Sequence, residues 1–88
     1  MDTRQFEDDM DESGIFTNAI SGNISHHEAY NTVMDFGKMD KFLNDNRSKY
    51  TLDEWRELKL HFADIGYLSP INTLIAIRIR RKLEQWES

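Results

Sequence analysis

The stretch that decides the fold is Ser69 to Trp86, SPINTLIAIRIRRKLEQW. It holds the densest apolar run in the chain (Ile71, Leu74, Ile75, Ile77, Ile79, Leu83 and Trp86) and four of the eleven basic residues, Arg78, Arg80, Arg81 and Lys82. Ser69 is a good N-cap, and Pro70 at the first helical position has no N–H to leave unpaired. Ile75 to Arg80 also alternates at period two with β-branched residues, as a strand does. The helix prevails because of the cap, the absence of a second convincing strand, and a spacing that continues through Leu83 and Trp86. Placed about 100° apart, Ile71, Ile75, Ile79, Leu83 and Trp86 share an arc of about 120°. Leu74 and Ile77 fall outside that arc, on the side of Arg78 and Arg81. The stretch is too apolar for one interface. Its second face, with Leu74, Ile77, Arg78, Arg81 and Lys82, is the expected partner-binding surface.

Upstream, Thr51-Leu-Asp-Glu54 has the form of a capping box, in which Thr and Glu each satisfy a free N–H of the first turn. Leu52, Trp55, Leu58, Phe62 and Ile65 follow at three- and four-residue steps and predict a helix over 52–65. Gly66 reads as its C′ residue, with Tyr67 or Leu68 placed to fold back on the last turn. A second capping-box pattern, Ser25-His-His-Glu28, precedes Ala29, Tyr30, Val33, Met34, Phe36, Met39, Phe42 and Leu43. Their spacing predicts a long helix over 26–44, with Gly37 allowing close approach of a neighbour or marking a bend. Asn44 to Ser48 is turn chemistry and ends it. Ile15, Phe16, Ala19 and Ile20 fit a short extra helix near 15–21, with Gly22 as its stop.

Residues 1–14 carry six acids against Arg4, a net charge of -5. This acidic N-terminal arm is either a flexible solvated segment or a short helix docked through Phe6 and Met10, which are four residues apart. The expectation is thus an all-α fold, a small bundle of three main helices in a single domain over 15–88, preceded by the arm. Loops of about six and three residues between the main helices favour antiparallel neighbours.

Eighty-eight residues with 39% hydrophobic content leave room for one small core. The longest nearly uncharged stretch, Ile65 to Ile77, is broken by Gly66, Ser69, Pro70 and Asn72 and falls far short of the roughly 20 apolar residues of a spanning helix. The acidic start is the opposite of a signal peptide's basic first region. Without cysteine there is no disulfide framework, thiolate nucleophile or Cys-based zinc site, so a reducing, cytoplasmic location is expected. The net charge of -5 is spread unevenly, with +2 over residues 67–88, which disfavours non-specific nucleic-acid binding by the whole chain while leaving a local basic face.

The residues offer little site chemistry. Metal ligands on one helical face sit three or four apart, whereas His26 and His27 are adjacent and point about 100° apart. His61 is more than thirty residues away. Asp35, Asp40 and Asp64 fall on polar faces among Lys38, Lys41 and Lys59, as surface ion pairs do. No nucleophile elbow, phosphate loop, H-E-x-x-H or calcium loop is present. No cofactor and no enzymatic activity are expected. Residues 51–86 do have the outline of a helix-turn-helix. Recognition helices, however, expose polar residues in their N-terminal turns. Here those positions are Ile71, Leu74 and Ile75, with only Asn72 and Thr73 left to read bases, and the basic residues come two turns later. The acids Asp8, Asp9, Asp11 and Glu12 form a strip that could imitate a phosphate backbone. The leading expectation is a non-enzymatic helical interaction module, an adaptor, inhibitor or regulator acting through a protein partner or as a homodimer. A helix-turn-helix DNA binder and an acidic nucleic-acid mimic are the alternatives, and no membrane is involved.

Overall fold

Residues 2–18 and 32–87 are described by the computed structural model of the chain. Four α-helices, α1 (Arg4–Glu12), α2 (Phe36–Asp45), α3 (Leu52–Asp64) and α4 (Pro70–Glu87), form a small all-α bundle. Two short strands, β1 (Phe16–Asn18) and β2 (Thr32–Met34), pair antiparallel between α1 and α2, with Thr17 opposite Val33.

The two C-terminal helices follow their local signals closely. The capping box of α3 is complete: the Thr51 hydroxyl accepts from the Glu54 N–H (3.1 Å), and the Glu54 carboxylate accepts from the Thr51 N–H (3.0 Å). Its apolar stripe buries Trp55, Leu58 and Phe62. In α4 the spine residues Ile71, Ile75, Ile79 and Leu83 are buried as their spacing requires, and Trp86 packs partly buried against the core. The two helices run side by side and antiparallel. The Trp55 and Trp86 rings lie 5.4 Å apart at one end, and Gly66 abuts Thr73 at the other.

Gly66 differs from expectation in its role. Its φ is not positive, and Tyr67 and Leu68 do not fold back but stand 83% and 54% exposed. The glycine is needed because a Cβ there would overlap the Thr73 hydroxyl. Close approach of α4 selects it. The conformation that does require glycine is at Gly14, with φ 71°, where the chain leaves α1 for β1.

The N-terminal half departs further. Residues 2–14 contain a helix whose Phe6 and Met10 are fully buried. The Phe6 ring lies 5.5 Å from Phe42, 6.0 Å from Tyr50, 5.8 Å from Trp55 and 5.8 Å from Phe62, mostly edge-on, the geometry that aromatic quadrupoles favour. The long helix expected over 26–44 begins only at Phe36. Asp35 is its N-cap and accepts from the Lys38 N–H at 3.0 Å. Val33 and Met34 lie instead on β2, and the Asp35 N–H donates to the Ile15 carbonyl at 2.7 Å, extending the pairing. Phe16, expected in a short helix near 15–21, lies on β1. Thr17 and Asn18 lie on β1 as well, while residues 19–21 of that segment and the Ser25–Glu28 box with His26 and His27 lie outside the described residues.

Candidate functional site

The five residues read as a second face of α4 occupy three different settings. Leu74 packs against the core, on the side that faces α2. Arg78, one turn on, is engaged by α2: its Nη2 donates to both carboxylate oxygens of Asp40 at 2.6 Å, its Nε donates to Oδ1 at 3.2 Å, and its guanidinium stands 4.9 Å from the centre of the Phe36 ring. With 15% of its side chain exposed, Arg78 ties α4 to α2. Lys82 is buried along its stem, and its ammonium donates to Gln85 at 3.4 Å. Only Ile77 and Arg81 face outward. Ile77 is half-buried, and Arg81 is exposed with no ion pair among the described residues.

The acids of α1 divide in the same way. Asp9 accepts from Gln5 at 2.9 Å and pairs with Lys49 at 3.4 Å, and Glu7 lies 3.9 Å from the His61 ring. These contacts fasten α1 to the segment before α3 and to α3 itself. Asp8, Asp11 and Glu12 point to solvent, Asp11 with an interaction of its own. Tyr50 sits beside Asp9. Burial, then the nearby carboxylates of Asp9 and Glu54, raise its hydroxyl above the ordinary 10.0, since each disfavours the phenolate. The aromatic group has one further polar anchor, Trp55 Nε1, which donates to the Arg47 carbonyl at 3.0 Å.

Among the described residues, two clefts are lined by both α3 and α4. One, of about 430 Å³, is lined by Tyr50, Trp55, Trp86, Arg47 and Asn44, with Arg47 stacked on Trp86 at 5.1 Å. The other is a shallow groove of about 290 Å³ between α3 and α4, lined by Lys59, Ala63, Thr73, Ala76, Ile77 and Arg80. It exists because Ala63 and Ala76 are too small to fill the seam between the two helices. On α3, Leu60 is 57% exposed, and Tyr67 and Leu68 project from the turn that joins the same helices. Sequence periodicity pointed to Ile77 but not to the groove. The available signal was Leu60, which falls off the stripe of α3 although it is a large apolar residue.

Chemistry of other kinds is sparse. No group of three His, Cys, Asp or Glu side chains among the described residues converges to hold a metal ion. No helix among them is long and apolar enough to cross a membrane. In the pair α3–α4, Asn72, one of two residues expected to be free for bases, is fully buried and donates to the Ile65 carbonyl at 3.1 Å, capping the end of α3. The antiparallel course of these helices also differs from the roughly 90–120° crossing of a helix-turn-helix. No family model, curated protein or solved structure matches the chain.

Proposed function

We propose that this chain is a non-enzymatic helical interaction module that acts on a protein partner through the outer surface of its α3–α4 hairpin. The observation that carries this reading is the contrast between the two sides of that hairpin. The inner side is closed, with Trp55, Leu58, Phe62, Ile75 and Ile79 essentially inaccessible. On the outer side Leu60 of α3 and Tyr67 and Leu68 of the turn that follows it are more than half exposed, and a groove lies between α3 and α4. Single exposed apolar residues need no explanation, but three of them on α3 and the turn after it, one a tyrosine, have the composition of an interface.

The alternatives draw less support. In the first turns of α4, Ile71 and Ile75 are committed to the core and Asn72 to the α3 cap, which leaves Thr73 as the exposed polar side chain there and little edge with which to read base pairs. On α1, Asp9 is engaged by Lys49 and Gln5, which interrupts the strip of Asp8, Asp9, Asp11 and Glu12 that would trace a phosphate backbone. A pull-down from native lysate, with and without nuclease, tests the reading. Protein capture that persists after nuclease treatment and is lost with Tyr67→Ala plus Leu68→Ser supports it. Capture only while nucleic acid is intact, or none at all, overturns it. Size-exclusion chromatography with light scattering decides whether the partner is a second copy of the chain.

A further inference from the structure

We infer that the α3–α4 groove is the docking site of an acidic segment of another protein, one apolar side chain set on its floor and carboxylates lying against its walls. This rests on the interaction reading above and names the site and the chemistry of the partner. The floor is apolar and shallow, made of Ala63, Ala76 and Ile77. Lys59 forms one wall and Arg80 the other, and Arg81 lies beyond Ile77 on the outer surface of α4.

These cations are poorly neutralised. Lys59 and Arg81 have no ion pair among the described residues. Arg80 reaches Glu84 of its own helix at 3.8 Å, with both side chains more than half exposed. Such a contact is worth little in water. Arg56, the next cation along α3, is by contrast taken by Asp53 and Glu87. A chain with a net charge of -5 therefore keeps a cationic rim around one apolar groove. Complementary charge on the incoming segment would steer it and fix its register, while the buried anchor supplies affinity. A nucleic-acid backbone would also be drawn by the cations. It has no use for an apolar floor.

The test is a selection of random sixteen-residue peptides displayed on phage against the full-length chain. Enriched peptides are expected to carry a large apolar residue flanked by Asp or Glu. Their affinity should fall about tenfold or more on Lys59→Glu with Arg80→Glu, and similarly on Ala63→Glu, in proteins whose circular dichroism and melting match the parent. Lys59→Gln with Arg80→Gln, which adds no repulsion, should show a smaller loss. No enrichment, enrichment without acidic residues, or binding unchanged by these variants overturns the inference. So does a mixed-sequence DNA duplex that binds with the same dependence on Lys59 and Arg80, or a dimer that the Ala63→Glu variant dissociates. If lysate partners survive nuclease and are captured equally by the Ala63→Glu variant, the groove assignment fails while the interaction reading stands.

Discussion

Single side chains carry much of the specification in a protein this small, and Gly66 and Tyr50 show how. Gly66 holds its place because Thr73 lies against it, so a methyl group at 66 must displace the hydroxyl or the helix that bears it. Gly66→Ala is expected to destabilise by about 1–3 kcal/mol in urea unfolding, the usual cost of overpacking. Thr73→Ala should return part of that loss, giving a clear interaction energy in the double-mutant cycle. Independent additivity of the two substitutions would show that the contact is not what selects glycine. Tyr50 offers a pH readout. Its raised pKa means that the folded state holds the phenolic proton more tightly than the unfolded state does. The contribution is therefore complete below the ordinary 10.0 and is lost as pH rises through the folded value. Absorbance titration, with Tyr50→Phe as the difference, should place its ionisation above the ordinary 10.0. Asp9→Asn should lower it only in part, because burial is the largest cause.

At the level of elements, what separates the well-read helices from the misread one is where the competing signals sit. For α3 and α4, the cap, the first turn and the apolar stripe all agree. For α2, the stripe continues backwards through Val33 and Met34, and nothing in a spacing argument marks Asp35 as a break. The break arises because Asp35 takes an extended conformation, caps the Lys38 N–H, and continues the strand pairing with Ile15. Asp35→Ala should cost about 1 kcal/mol of stability by denaturant unfolding, with Asp35→Asn close to the parent. A helix running unbroken from residue 26 would instead gain from alanine at 35, since alanine is the better interior residue. The same comparison explains Gly37. It falls in the first turn of α2 rather than deep inside a long helix, and nothing crowds it closer than the Asp35 carboxylate at 3.4 Å.

For the whole molecule the decisive contact is between the first helix and the middle of the chain. Phe6 touches four aromatic rings drawn from α2, α3 and the segment between them, so α1 is a component of the core. Phe6→Ala is expected to cost roughly 3–5 kcal/mol, a large share of the 5–15 kcal/mol typical of a domain. The exposed Asp8→Ala on the same helix should stay within about 0.5 kcal/mol. Equal, small effects at both positions would return residues 1–14 to the status of a solvated arm. The sequence by itself determined the helical class, the extents of α3 and α4, the capping box that opens α3, and the spine that α4 turns inward. These rest on interactions within one turn and on a 3.6-residue period, both local. Tertiary structure alone decided that Phe6 and Met10 bury, that Arg78 pairs with Asp40, that Asn72 caps the C-terminal end of α3, and that small side chains at 63 and 76 leave a groove. Each of these depends on which residues meet across tens of positions in the chain. A charge or an alanine carries no local mark of what the fold will set opposite it.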